Sequence, residues 1–254
     1  MPDVVSFSVL LAFGCLTGVT TVLFGFGGGF LTVPVVFAVT GQMHVAVATS
    51  AAVMVVNSLA ATLAQARAGR LRRDRVWPLA GFIAAGAALG ALTTTRLPEP
   101  ILHAAFVAYL LITIADCSLR SGFLDRGAGP GGLGPVARTA GGVGIGVVAS
   151  ALGVGGSVLT VPLLRRSGLP MTEATAIANP LSAPVAVVAT VVYAVSADGP
   201  TGYVDVAAAG LLLAGSLPAI AITRRVTGRI PDRVHAIAYV ALLVAVTITV
   251  TVTA

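Results

Sequence analysis

Gly18–Pro34 reads GVTTVLFGFGGGFLTVP, and Gly146–Pro162 reads GVVASALGVGGSVLTVP. The two align without a gap, 128 residues apart, matching Gly25 with Gly153, Gly27 with Gly155, Gly28 with Gly156, and Leu31-Thr32-Val33-Pro34 with Leu159-Thr160-Val161-Pro162. Self-similarity at a fixed period is the mark of an internal repeat. Farther along, Gly69-Arg70-Leu71 resembles Gly202-Tyr203-Val204, and Leu97-Pro98 resembles Ile230-Pro231. The chain therefore reads as two related halves, 1–125 and 126–254, joined through the flexible run GAGPGGLGP.

The solvent of these halves follows from their composition. Apolar residues make up 57% of the 254 residues and charged residues 9%, against roughly 25% charged in a soluble domain. Too few charges remain to cover a water-facing exterior, and lipid is the solvent that fits. Each half offers matching apolar segments: about 4–38 (broken at its glycines), 45–66, 76–95 and 101–118, then 139–164 (broken likewise), 172–196, 203–223 and 234–253. A spanning helix needs about 20 apolar residues, so the expected fold is an all-α polytopic membrane protein. Small-xxx-small pairs, Gly14/Gly18, Gly86/Gly90 and Gly142/Gly146, suit close helix packing in lipid.

All fifteen basic residues are arginine. Without lysine there is no P-loop and no Schiff-base chemistry. The arginines fall in bursts between apolar runs rather than on a basic face, which argues against nucleic acid despite a net charge of +6. Cys15 and Cys117 lie in apolar stretches and make no disulfide framework, and His44, His103 and His235 are too scattered for a metal cluster. H-E-x-x-H and G-x-S-x-G are both missing, so the chain is not expected to be an enzyme or to carry a cofactor. Met1-Pro2-Asp3 lacks the positive start of a cleaved signal peptide, so the first apolar stretch should remain in the protein.

The positive-inside rule turns these bursts into a topology. Arg67, Arg70, Arg72, Arg73 and Arg75 mark one cytoplasmic loop, Arg120, Arg126 and Arg138 another, Arg165 and Arg166 a third, and Arg224, Arg225, Arg229 and Arg233 a fourth. Arg96 alone falls on the outer side. Repeat-equivalent loops carry opposite charge: the arginine-rich 67–75 corresponds to 197–205, which holds Asp198 and Asp205. Related halves in opposite orientations are the inverted-repeat plan of secondary transporters. Each broken segment is then expected to be a re-entrant or broken hairpin of short helices turning near mid-membrane, followed by three transmembrane helices.

Glycine clusters at membrane depth need a reason, because unpaired backbone in hydrocarbon costs several kcal/mol per group. Half-helices starting near Gly28 and Gly156 would aim free N–H groups and positive dipole ends at one central anion site. The candidate substrate-binding residues are Gly27, Gly28, Gly29, Thr32, Thr49, Ser50 and Asn57 in the first half, and Gly155, Gly156, Ser157, Thr160, Asn179 and Ser182 in the second. Asn179 precedes the helix-disturbing Pro180, which also frees carbonyls.

GFGGGFLTVPVV and GVGGSVLTVPLL, together with the alanine-rich helix holding Thr49-Ser50 and the turns at Gly69 and Gly202, resemble the sulfite exporter TauE/SafE family. The second half shows Ala176-Ile177-Ala178-Asn179-Pro180 where the Thr-Ser feature would recur. The resemblance implies movement of sulfite, sulfonates or related small organic anions across the cytoplasmic membrane, often outward, and the inverted halves add the expectation of export by alternating access. It implies a small anionic substrate and the bilayer as partners, with a homodimer left open. An anion channel and a membrane scaffold or assembly factor are the alternatives.

Overall fold

The computed structural model describes residues 4–69, 73–125, 134, 136, 139–197, 200–225 and 230–252. Arg70, Arg72, Arg126, Arg138, Asp198 and Arg229, used above in reading the charges, lie outside them, as do Met1-Pro2-Asp3, the linker run apart from Gly134, and the side chains of Arg73 and Arg75. Among the described residues there are ten helices and no strand. In order they are α1 (Val4–Phe24), α2 (Gly29–Thr40), α3 (Met43–Arg67), α4 (Arg73–Thr94), α5 (Glu99–Leu119), α6 (Ala140–Leu152), α7 (Ser157–Arg166), α8 (Met171–Val195), α9 (Val206–Thr223) and α10 (Asp232–Val252).

Six of these are long and apolar enough to cross a membrane: α1, α3, α5, α8, α9 and α10. The span of α1, Val5–Phe24, is among them, and α4 holds the shorter described apolar stretch Leu79–Thr94. Nothing ahead of Gly25 stops α1, because Gly14 and Gly18 serve as packing sites within it.

The glycine clusters end the helices where the repeat places them. Gly25, Gly27 and Gly28 have φ of 77°, 63° and 98°, and Gly153 and Gly155 have 65° and 71°. These left-handed values stop a helix and favour glycine. The arms of the first hairpin are unequal: α1 has 21 residues and α2 has 12. At about 1.5 Å per residue α1 is as long as the hydrocarbon is thick, and α2 is little more than half that. In the second hairpin the arms are nearly equal, 13 residues in α6 and 10 in α7. The Leu23 carbonyl meets His235 Nε2 at 2.6 Å, one turn from the start of α10, and the Ala151 carbonyl meets Thr94 Oγ1 at 3.1 Å, at the end of α4.

Contacts at the two ends of the bundle orient the helices. At one end, His44 at the start of α3 pairs with Glu99 at the start of α5 (3.1 Å) and stacks on Tyr203 just before α9 (5.4 Å). At the other, Arg166 pairs with Asp116 near the end of α5 (2.7 Å), and Arg165 pairs with Asp232 at the start of α10 (2.8 Å). So α10 begins where α5 ends, and α9 begins where α3 begins.

The halves interlock. Helix α1 lies along α9, α6 lies along α4, and α3 crosses α8 at the centre. Glycine makes the first two contacts so close that a methyl group would not fit. A Cβ on Gly14 or Gly18 would overlap the carbonyl of Leu212 or Ser216, and one on Gly86, Gly90 or Gly146 would overlap that of Val143, Val147 or Ile83. These are the small-residue pairs noted in the sequence, and they allow backbone-to-backbone packing in lipid.

A matched pair of variants tests this packing. Gly146→Ala places a methyl against Ile83 and Ala87, and overpacking of this kind costs about 1–3 kcal/mol. Gly144→Ala, two positions away on the exposed face with nothing within 4 Å, should leave the thermal midpoint of the detergent-purified protein unchanged or raise it. Equal midpoints for the two variants would contradict the packing.

Candidate functional site

Where α3 crosses α8, the two glycine turns meet. A methyl on Gly29 would overlap the carbonyl oxygen of Gly153, and one on Gly155 would lie 3.1 Å from the Phe26 carbonyl. Gly27 and Gly155 each face both Met54 and Ser182, with would-be Cβ contacts of 2.7–3.3 Å. Met54 and Ser182 are 128 residues apart and so occupy equivalent places in the repeat. Around this crossing Gly27, Gly28, Gly29, Thr32, Ser50, Asn57, Gly155, Gly156, Ser157, Thr160, Asn179 and Ser182 are all buried.

Helices α2 and α7 both start at this meeting point. Their N-cap residues, Gly28 and Gly156, make no side-chain cap. First-turn N–H groups have no partner inside their own helix, so both positive helix ends open onto the centre. Thr32 and Thr160 return their hydroxyls to the turn carbonyls of Gly28 (3.1 Å) and Gly156 (2.6 Å).

Ser50 ties the turns together. Its Oγ lies 2.9 Å from the Gly29 carbonyl and 2.8 Å from the Gly153 carbonyl, sharing its proton between the halves, and it accepts from Thr32 Oγ1 at 2.7 Å. Asn57 Oδ1 accepts from Ser216 Oγ of α9 at 2.7 Å. Asn179 Nδ2 donates to the Thr21 carbonyl at 3.2 Å, so its amide closes the end of α1 and leaves only Oδ1 without a partner. Ser157 Oγ is likewise buried and unpartnered. Thr49 faces elsewhere: its hydroxyl accepts the Asp205 N–H at 2.9 Å, at the start of α9. Pro180 and Pro184 line a cavity of about 470 Å³ with Leu59, Thr62 and Trp77, between α3, α4 and α8.

Several residues that build the site do not stand out in the sequence. Thr17 lies just ahead of the repeated motif, and Ser216 sits in an ordinary Gly-Ser pair. Met54 could have been found as the repeat mate of Ser182. Arg165, read above as a loop marker, is 1% exposed, and donates to the Phe123 and Leu124 carbonyls as well as to Asp232. Tyr193 and Tyr239 donate to the carbonyls of Ser150 (2.8 Å) and Val158 (2.9 Å), holding the second turn from both sides. Among the described residues there is no group of three or more His, Cys, Asp or Glu that could hold a metal ion.

A bundle of apolar helices, six of them long and apolar enough to span, fits a polytopic membrane protein. The sequence model of the family described as sulfite exporter TauE/SafE matches residues 10–250, and the chain belongs to that family of membrane transporters. No curated protein and no solved structure matches the chain.

The Ser50 bridge makes a measurable prediction. Ser50→Ala leaves the Gly29 and Gly153 carbonyls without their shared donor and should cost about 1–2 kcal/mol of stability. Thr32→Val should cost less. Because both share the 2.7 Å bond, the double variant should lose less than the two single losses combined, by at least about 0.5 kcal/mol. Strict additivity in thermal or denaturant unfolding would show that the bond contributes nothing.

Proposed function

We propose that the chain is a secondary transporter that exports sulfite, a sulfonate or another small sulfur-containing anion across the cytoplasmic membrane. It works by alternating access between two inverted halves. The observation that carries this reading is the meeting of two uncapped helix N-termini in a buried cluster of neutral hydroxyls and amides. Such a site favours negative charge without a fixed cation. The glycine turns with Thr32, Ser50, Asn57, Ser157, Thr160, Asn179 and Ser182 surround the substrate, and Thr49 supports α3 behind them.

The inverted arrangement is supported by helix direction. Equivalent helices α5 and α10 start at opposite ends of the bundle, one at the His44–Glu99 pair and the other at the Arg165–Asp232 pair. Arg67, Arg120, Arg165, Arg166 and Arg224 lie at the second end and Arg96 at the first, so the second end faces the cytoplasm. An inside-negative membrane favours exit of an anion by about 2.3 kcal/mol per charge for each 100 mV. No nucleotide site is needed to drive export.

Proteoliposomes loaded with radiolabelled sulfite or a sulfonate test this reading. Efflux should saturate with substrate and accelerate when unlabelled substrate waits outside, which a channel would not show. Gly28→Ala, at φ 98° and facing the Asn57 amide, should lower that flux more than tenfold in protein that still elutes as a folded species. Unchanged flux would remove the glycine turn from the site. Orientation is tested separately with single cysteines in a background lacking Cys15 and Cys117. Gln42→Cys and Arg96→Cys should react with an impermeant maleimide on intact cells, and Ala68→Cys and Arg224→Cys only after lysis. The reverse pattern would overturn the assignment of the two ends.

A further inference from the structure

The repeat makes the two sides of the central site directly comparable, and they are not alike. A methyl on Gly28 would lie 2.6 Å from Asn57 Nδ2 and 2.9 Å from Thr17 Cγ2. A methyl on Gly156, the equivalent glycine, would lie 3.1 Å from Ile145 Cγ2 and 3.8 Å from Val185 Cγ2. Ile145 and Val185 are 128 residues beyond Thr17 and Asn57. The same two places therefore hold an asparagine amide and a threonine beside one helix start, the threonine turning its methyl to Gly28, and two branched hydrocarbons beside the other.

Packing does not explain the polar pair, since the second half fills the same places with apolar side chains. Thr17 and Asn57 are 0% exposed, and both Thr17 Oγ1 and Asn57 Nδ2 lack any hydrogen-bond partner. A buried polar group without a partner is costly, and so calls for an explanation. The rest of the Asn57 amide is committed. Ser216 donates to Oδ1 at 2.7 Å, which turns the carbonyl toward α9 and leaves the N–H₂ beside Gly28. One unused donor, the Asn57 N–H₂, thus faces the uncapped start of α2, and the unpartnered Thr17 hydroxyl sits on the residue whose methyl packs beside it.

We propose that the central site has a single anion pole, resting on the transport reading above. Thr17 Oγ1, Asn57 Nδ2 and the first-turn amides of α2 hold the oxygens of the substrate, and Ser216 is the positioning residue that keeps the amide facing them. Ile145 and Val185 beside Gly156 are apolar, so the start of α7 offers the unpartnered Ser157 hydroxyl without the amide found beside Gly28. The site suits a ligand with acceptor-only oxygens gathered at one end, as in sulfite or an alkylsulfonate, and the two halves do not bind equally.

Calorimetric titration of the detergent-purified protein with sulfite and with methanesulfonate tests this. Thr17→Val and Asn57→Val, which give the first half the apolar character of the second, should each weaken binding by about tenfold to a hundredfold. Their unliganded thermal midpoints should stay level or rise, because an unpartnered polar group has been removed. Thr17→Ser should bind as the parent does. Ser216→Ala should weaken binding less than Asn57→Val, and Ile145→Val should leave it unchanged. Parental affinity in Thr17→Val and Asn57→Val would overturn the pole while leaving the transport reading in place. A fall in unliganded stability parallel to the fall in affinity would assign the pair a structural role and overturn it as well. Failure of the parent protein to bind either anion would overturn both readings.

Discussion

A backbone that stops being helical inside hydrocarbon must find partners for its carbonyl groups, and the arrangement of this protein follows from where it finds them. At the end of α1 the Thr21 carbonyl is met by Asn179 and the Leu23 carbonyl by His235, both from the other half of the chain. At the end of α6 the carbonyls of Ala151 and Gly153 are met by Thr94 and Ser50, again from the other half. Each break is closed in part by the opposite half, beside bonds from its own half such as Thr32 to the Gly28 carbonyl and Tyr193 to the Ser150 carbonyl. The cost of opening the helix is offset across the interface between the halves.

That exchange requires the backbones to come close, which the glycine-lined contacts of α1 with α9 and α4 with α6 permit. Lipid offers little hydrophobic drive between helices, and close packing with hydrogen bonds has to supply the association. Glycine therefore has two separate duties here. In α1, α4 and α6 it is helical and makes room for a neighbouring carbonyl. In the turns it takes positive φ and ends the helix.

These two duties account for how far the sequence could be read. The turns were legible because the repeat places two glycine clusters 128 residues apart, each followed by Leu-Thr-Val-Pro. The long helices were legible because apolar length is a direct requirement of the bilayer: the segment expected at 45–66 is helical from Met43 to Arg67. Arm lengths were not legible, since residues on both sides of Gly25 are uniformly apolar and no periodicity marks depth. Nor was the burial of Arg165, because a count of charges treats it as a loop residue and its partner Asp232 lies 67 positions away. Asn57 could be singled out as a polar side chain in an apolar run, but the direction of its amide depends on Ser216, 159 residues distant.

The location of charge links the fold to the anion reading. Among the described residues Arg165 is the one buried arginine, and it is fully engaged at the end of the bundle by two backbone carbonyls and a carboxylate. The residues around the glycine turns are neutral. A fixed cation there would have to be desolvated in the resting protein, and would then hold an arriving anion in a low-dielectric pair too strong to release readily. Helix starts and an amide avoid both problems, because their dipoles are already part of the fold and attract negative charge without a full ion pair. The asymmetry between Thr17-Asn57 and Ile145-Val185 adds a consequence for movement. An anion drawn to one side of a pseudo-symmetric centre interacts unequally with the two halves, so its arrival changes their relative free energies. A ligand shifts a conformational equilibrium only by such a difference.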